Sequence, residues 1–183
     1  KKHEKSLLVI DEAYVAFARQ DCLPLVREHA NVVISRTFSK SHGMAGMRVG
    51  YVAAHTAVIE TLDKIRDSYN VNRVSQAAAL AAVKAVDYYT EKCRMIVETR
   101  ERLRETMVGM GYEVPASAGN FIFARSGNGL ATLTALRERN ILVRYFDLPG
   151  LRDGVRITIG TDDETDLLIE ALRQIPAPNE VNP

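Results

Sequence analysis

The sequence predicts an α/β protein in which short strands alternate with helices. Its apolar runs are continuous and rich in leucine, isoleucine and valine, as in strands that helices cover on both faces. Stretches with helical periodicity separate these runs along the chain. Sheets of this kind carry their functional groups at strand ends and in the loops that follow.

The first part of the chain contains three of these apolar runs, and they predict strands at residues 7–10, 31–38 and 47–54. Helices are predicted at residues 23–28 and 57–66, and a long helical region at 75–110, ended by Gly109 and Gly111. A polar break at residues 69–73 precedes that region. Its Tyr69, Asn70 and Asn72 either contact a substrate or cap the helix, and the sequence favours neither role.

The second part predicts a smaller α+β module. Its predicted strands are residues 111–115, 120–125, 141–146 and 155–160. Helices are predicted at 129–139 and at 161–175, the latter because a Thr/Asp cap and an acidic first turn precede periodic apolar positions. We therefore expect four segments. They are the C-terminal part of a large domain (1–73), a bridging helical region (74–110), a small domain (111–176) and a loose tail (177–183).

Composition narrows the function classes. The 183 residues carry a net charge of +1 and are 46% hydrophobic and 26% charged, which gives no basic excess for nucleic acid. No apolar stretch approaches the length that spans a bilayer. Cys22 and Cys93 are too far apart for a zinc motif or a disulfide framework, so we expect free thiols, no metal site and a cytoplasmic protein.

The segment RTFSKSHGMAGMRVGY, residues 36–51, combines groups that suit a phosphate monoester. Thr37 and Ser39 supply hydroxyls, Arg48 supplies a two-pronged donor, and the neighbouring glycines allow close backbone approach. Lys40 lies among them and could form a Schiff base with an aldehyde on the same phosphorylated molecule. Pyridoxal phosphate is such a molecule.

The segment LLVIDEAY, residues 7–14, ends an apolar strand with an acidic residue. Asp11 could face the pyridine nitrogen of such a cofactor and keep it protonated, and Tyr14 could reach the phenolic oxygen or the substrate. Two other interpretations exist for Asp11. It could cap the turn, or it could belong to the magnesium-binding strand of a P-loop ATPase, which also requires a GxxxxGK[ST] loop that these residues lack.

Taken together, DEAY, TFSKSHGMAGMRVGY, SAGNF, ILVRYF and VRITIGT resemble fold-type I aminotransferases, and histidinol-phosphate aminotransferases most of all. The resemblance covers nearly the whole chain. It implies a pyridoxal-phosphate-dependent transaminase acting on L-histidinol phosphate and 2-oxoglutarate in histidine biosynthesis. It also implies a large domain with a mainly parallel sheet, a small α+β domain, and a homodimer when full length.

The resemblance implies roles for individual residues. Lys40 would hold the cofactor covalently and move the proton, Asp11 would pair with the pyridine nitrogen, and Tyr14 with the phenolic oxygen. The cofactor phosphate would be bound by Thr37, Ser39 and Arg48. The substrate anion would be bound by Arg156 and Arg144, with Asn120 near the substrate pocket.

The sequence leaves alternatives open. An aromatic amino-acid aminotransferase or a threonine-phosphate decarboxylase of the same fold would use a very similar set of residues, and the ATPase fragment belongs to another class. Several elements of the cofactor site that the family carries have no counterpart here. We therefore expect the C-terminal half of an enzyme, with exposed edge strands, that is inactive by itself.

Overall fold

The structure, a computed structural model, describes residues 6–175. The chain divides into two compact units, Lys1–Cys93 and Arg94–Pro183. The predicted tail at 177–183 lies outside the described residues, and the predicted domain limits stay a prediction. None of the described helices is long and apolar enough to cross a membrane.

The first unit contains a three-stranded sheet of order β1-β2-β3. Its strands are β1 (Leu8–Asp11), β2 (Val32–Thr37) and β3 (Gly50–Ala54). Its helices are α1 (Leu25–Glu28), α2 (Thr56–Asp63), α3 (Arg73–Lys84) and the beginning of α4 (Val86–Gly109). β1 and β2 run parallel, as expected, whereas β3 is antiparallel to β2. The connection between β2 and β3 holds only a short 3-10 turn, with no helix to return the chain for a parallel pairing.

Only the central strand of this sheet is buried within the chain. Val32, Val33 and Ile34 of β2 are almost inaccessible, whereas Leu8 and Val9 of β1 are 44% and 59% exposed. The expectation that all these strands are covered on both faces is therefore wrong for β1. The expected exposure of an apolar edge strand is observed instead, because β1 has a hydrogen-bonded neighbour on one side only.

The second unit contains an antiparallel sheet of order β4-β6-β5. Its strands are β4 (Phe121–Arg125), β5 (Arg144–Tyr145) and β6 (Gly154–Thr158). Besides the end of α4, its helices are α5 (Gly129–Arg137) and α6 (Asp162–Arg173). One face of the sheet joins these helices in a core that includes Leu103, Met107, Ile122, Leu136, Val155, Ile157 and Leu172.

Two more sequence expectations need correction. The predicted strand at 111–115 is a single bridge between Glu113 and Arg125, because Pro115 has no N–H with which to extend a ladder. The helical region predicted at 75–110 is interrupted at Ala85, whose φ of −98° and ψ of 34° leave the helical range. No glycine or proline marks this break, so the sequence pattern did not reveal it.

The start of α6 is as predicted. The Thr161 hydroxyl accepts from the Glu164 backbone N–H, and the Glu164 carboxylate accepts from the Thr161 backbone N–H. This capping box satisfies two N–H groups that would otherwise lack partners at the helix start.

Candidate active site

The predicted cofactor residues lie at one edge of the first sheet. β1 ends at Asp11 and its parallel partner β2 ends at Thr37, so the carboxyl ends of both strands meet there. Asp11 is paired in register with Ser35, and Ser39 and Lys40 follow directly after β2. This is the edge at which parallel sheets of α/β proteins carry ligands.

The Asp11 carboxylate is exposed, and hydrogen bonds to one of its oxygens fix its orientation. One oxygen, Oδ1, accepts from the backbone N–H of Ala13 at 3.0 Å and from the Ser35 hydroxyl at 3.4 Å. The other oxygen, Oδ2, accepts no hydrogen bond from residues 6–175. Asp11 therefore has an acceptor available for a cationic or N–H group of a ligand.

Lys40 and Tyr14 come together from different strand ends. The Lys40 amine lies 5.5 Å from the centroid of the Tyr14 ring, a cation–π distance. Lys40 is exposed and makes no ion pair with a carboxylate in the described part of the chain. Its amine is thus free for covalent chemistry.

The three predicted phosphate-binding residues are brought together only in part. The Thr37 hydroxyl donates to the Ser39 hydroxyl at 2.9 Å and accepts from the Ser39 backbone N–H at 3.0 Å. Arg48 is exposed, and its Nη1 donates to the Ala45 carbonyl at 2.9 Å rather than meeting either hydroxyl. The loop that carries Arg48 is nevertheless tied to Thr37, whose hydroxyl lies 3.3 Å from the Val49 carbonyl oxygen.

The two predicted substrate arginines face each other in the second unit. Arg144 of β5 and Arg156 of β6 are directly opposed in register, and Phe123 of β4 is opposed to Arg156 on its other side. Directly opposed residues share a face. That face is opposite to the one whose Ile122 and Val155 lie in the core.

Aromatic rings surround this arginine pair. The Arg156 guanidinium lies 5.3 Å from the Phe121 ring centroid and 5.7 Å from that of Phe146, and Arg144 lies 5.4 Å from Phe146. No carboxylate among residues 6–175 pairs with either arginine, and the buried Nε of Arg156 has no hydrogen-bond partner there. Two adjacent cations without a counter-ion form a site for an anion.

Asn120 lies at the start of β4, next to these strands. Its backbone carbonyl accepts from the Ile159 N–H at 2.9 Å, while its half-buried side chain makes no hydrogen bond within the described residues. The side-chain amide therefore remains available to a ligand.

Comparison with known proteins assigns the family. The sequence profile of the protein family "Aminotransferase class I and II" matches residues 1–172. The chain belongs to this aminotransferase family. The family inferred from the motifs is thus confirmed, and the ATPase interpretation of LLVIDEAY is wrong, because this strand lies within the matched region.

Individual relatives of the chain are aminotransferases as well. The chain is 47% identical over 171 residues to a histidinol-phosphate aminotransferase of Geobacter sulfurreducens, covering 92% of this chain and 49% of that protein. It is 43% identical over 176 residues to histidinol-phosphate aminotransferase 2 of Thiobacillus denitrificans, covering 93% of this chain and 49% of the relative. The chain thus spans about half the length of the curated relatives it matches.

The fold comparison confirms fold type I. The crystal structure of histidinol-phosphate aminotransferase from Sinorhizobium meliloti, in complex with pyridoxal-5'-phosphate, superposes with a TM-score of 0.80 at 31% identity. The superposed region covers 94% of this chain and 50% of the Sinorhizobium meliloti chain. The enzyme from Clostridium acetobutylicum gives a TM-score of 0.85 at 22% identity, with 97% and 56% covered, which shows the fold alone.

One ion pair at this sheet edge was not predicted from the sequence. Glu12 is 8% exposed and forms an ion pair with Arg36 at 2.8 Å, and its other oxygen accepts from the Cys22 backbone N–H. Burial by itself lowers the pKa of Arg36, but hydrogen bonds with Glu12 and Tyr51 outweigh burial and raise that pKa. The pair joins the ends of β1 and β2 beside Asp11 and Thr37. Only the position of Glu12 directly after Asp11 could have suggested it.

An apolar cavity of about 660 Å³ beside this edge is not the predicted cofactor site. It is lined by Arg36, Phe38, His42 and Ala82, among others, but not by Asp11 or Lys40. His42 packs between the Phe38 and Tyr89 rings at centroid distances of 4.8 and 4.7 Å. Burial lowers the pKa of His42, which favours the neutral imidazole and a packing role.

The residues present fit pyridoxal phosphate. Within residues 6–175 the Lys40 amine has no carboxylate partner and Asp11 keeps one free oxygen, and the Thr37 and Ser39 hydroxyls are adjacent. All of these groups stand at one sheet edge, which is the requirement for contacting a single small molecule.

Proposed function

We propose that the complete enzyme containing this chain is a pyridoxal-phosphate-dependent aminotransferase. It exchanges an amino group between L-histidinol phosphate and 2-oxoglutarate, in histidine biosynthesis. The observation that carries the proposal is the meeting of Asp11, Tyr14 and Lys40 at the carboxyl ends of two parallel strands. The names of the relatives support the substrate choice.

At the cofactor end, each residue has a distinct task. Pyridoxal phosphate, when bound, supplies an aldehyde that condenses with amines and a ring that withdraws electrons from the carbon bearing the amino group. Lys40 Nζ would hold the cofactor covalently, and the same amine would move the proton at the substrate Cα. Asp11 Oδ2 keeps the pyridine nitrogen protonated, and Tyr14 stands beside Lys40 to contact the phenolic oxygen. Thr37, Ser39 and Arg48 bind the phosphate.

At the substrate end, Arg144 and Arg156 accept two kinds of anion. One half-reaction brings a phosphate ester and the other the carboxylate of glutamate. A guanidinium fork fits both geometries, and two forks side by side match the greater charge of the phosphate. The rings of Phe121 and Phe146 lie over the Arg156 guanidinium, whose Nε is buried, and this less polar surrounding strengthens its electrostatic contacts. Asn120 orients the bound substrate.

The proposal includes the oligomeric state of the enzyme and the cellular compartment in which it works. We propose that the complete enzyme is a homodimer in the cytoplasm, where its free Cys22 and Cys93 stay reduced. The 183-residue chain alone should bind the cofactor weakly and not turn over, because Asp11, Lys40 and Arg48 are all exposed in it. Full activity of the purified chain would contradict this point.

The covalent bond provides the direct test. The intact gene product, reduced with borohydride in the presence of pyridoxal phosphate and digested, should yield one pyridoxyl-labelled peptide, modified at Lys40. Lys40→Ala should abolish both the label and turnover, whereas Lys84→Ala, at the end of α3, should change neither. A label on another lysine would refute the assignment.

Substrate assays separate the related activities. Histidinol phosphate, phenylalanine and threonine phosphate are compared as substrates of the intact enzyme, with glutamate formation and carbon dioxide release measured in parallel. Preferred transamination of histidinol phosphate supports the proposal. Preferred phenylalanine transamination would indicate an aromatic aminotransferase, and carbon dioxide release from threonine phosphate a decarboxylase.

A further inference from the structure

The backbone at Arg48 adopts a conformation that is rare for a residue with a side chain. Its φ of 54° and ψ of 47° lie in the left-handed region. Such residues persist where the surrounding structure holds them, and they cluster at functional sites. The direction of the Arg48 side chain therefore depends on the contacts that hold the residues before and after it.

The residues on either side of Arg48 are each held through their carbonyl groups. The Val49 carbonyl accepts from the Phe38 backbone N–H at 3.1 Å, which ties it to the end of β2. The Met47 carbonyl accepts from the Ser75 hydroxyl at 2.7 Å, a contact between residues 28 positions apart. Arg48 is thus held by β2 on one side and by α3 on the other.

Ser75 is fixed in turn by the start of α3. It is 1% exposed, and its hydroxyl accepts from the Asn72 side-chain amide at 2.9 Å. The side-chain oxygen of Asn72, Oδ1, caps the helix by accepting from the Ser75 backbone N–H at 2.9 Å. The polar break at residues 69–73, for which the sequence left two roles open, therefore contains the helix cap.

Ser75 uses different atoms for the helix cap and for its contact with the Met47 carbonyl. The cap needs its backbone N–H, which any residue other than proline supplies. The hydroxyl is not required for the cap, and it reaches the carbonyl that precedes Arg48 instead. Ser75→Ala would keep the backbone N–H of the cap and would remove the hydroxyl with both of its contacts, to the Met47 carbonyl and to the Asn72 amide.

We propose that Ser75, oriented by Asn72, is a positioning residue that holds the left-handed turn at Arg48 and so directs its guanidinium toward the phosphate group of the cofactor. This inference rests on the proposed function. Without this contact to the Met47 carbonyl, Arg48 can leave the left-handed region, and its side chain then starts from the backbone in another direction.

The test compares two ligands that differ only in the phosphate. Apoenzyme of the intact gene product is titrated with pyridoxal phosphate and with pyridoxal, by absorbance. In Ser75→Ala the Kd for pyridoxal phosphate should rise about tenfold, the equivalent of one charge-assisted hydrogen bond, while the Kd for pyridoxal stays unchanged. A purely structural role would raise both Kd values by the same factor, and that result would overturn the inference.

Matched variants complete the design. Ser126 is also a buried serine, paired by its hydroxyl with Thr132 at 2.8 Å in the second unit. Ser126→Ala should lower the thermal midpoint without changing the ratio of the two Kd values. In an Arg48→Gln background, Ser75→Ala should have no further effect on that ratio, because the group it directs is gone.

The remaining outcomes are also decisive. If Ser75→Ala does not fold, Ser75→Cys, of similar size but a weaker donor, should shift the ratio in the same direction, and an unchanged ratio would overturn the inference. If wild-type apoenzyme binds pyridoxal as tightly as pyridoxal phosphate, the proposed phosphate site itself fails. If wild type discriminates and Ser75→Ala discriminates equally, only the positioning role of Ser75 fails.

Discussion

Removing the charge of Arg144 should separate substrate binding from stability. Arg144 and Arg156 oppose each other across β5 and β6, and like charges in such a pair destabilise a sheet by about 0.2–1 kcal/mol. Arg144→Gln removes this repulsion but also removes the contact with the Phe146 ring, worth about 0.5–1 kcal/mol at an exposed site. The two changes oppose each other, so the free energy of unfolding should change by less than about 0.5 kcal/mol.

Substrate binding should respond much more strongly to the same substitution. One guanidinium contact to a charged phosphate contributes about 1.5–3 kcal/mol, so the KM for histidinol phosphate should rise at least about tenfold. The assays are urea unfolding and steady-state kinetics of the intact enzyme. The reasoning would be refuted if Arg144→Gln lost more than about 1 kcal/mol of stability, or if its KM were unchanged.

Arg125→Gln is the matched control for this prediction. Arg125 also lies over a phenylalanine ring, that of Phe123 at 5.2 Å, on the same face of the same sheet. Arg125 has a carboxylate partner, Asp153, whereas Arg144 has none in the part of the chain that the structure describes. The control should therefore lose about 1 kcal/mol of stability and leave the KM for histidinol phosphate unchanged.

Two further predictions concern stability. Leu103→Ala should lower the free energy of unfolding in urea by about 3–4 kcal/mol because Leu103 is 1% exposed. Val108→Ala on the same helix should lower it by less than about 0.5 kcal/mol because Val108 is 49% exposed. Equal losses of stability in the two variants would contradict the assigned core. Hydrogen bonds from Thr99 and Arg102 lower the pKa of Asp162, so its contribution is present above the unfolded pKa and is lost as pH falls through the folded pKa. Asp162→Asn should accordingly weaken the fall of the thermal midpoint on acidification, and an unchanged pH profile would exclude this role.

Local patterns in the sequence were sufficient for much of the fold. Continuous apolar runs located β1 and β2 to within two residues, because burial of a strand is encoded in consecutive side chains. The capping box of α6 was visible because its two partners, Thr161 and Glu164, are three residues apart. The family resemblance named the candidate site residues, and Asp11, Tyr14 and Lys40 lie at one sheet edge.

Other features could not be predicted because they depend on contacts between distant positions. Ser75 reaches Met47 over 28 positions and Arg36 reaches Glu12 over 24, and no local pattern encodes either pair. The opposition of Arg144 and Arg156 depends on the register of β5 against β6, and a shift of one residue would place the two side chains on opposite faces.

The sequence by itself thus determines which chemical groups lie at the strand ends. A short apolar run predicts the strand, and the polar residue that follows it marks where the strand ends. Which of these groups meet, and which residues hold them in place, follows from the path of the backbone in three dimensions. The physical reason is that strand pairing and helix packing bring together residues far apart in the chain. The left-handed turn at Arg48 shows this, because it is held by two elements that the chain reaches before and after it.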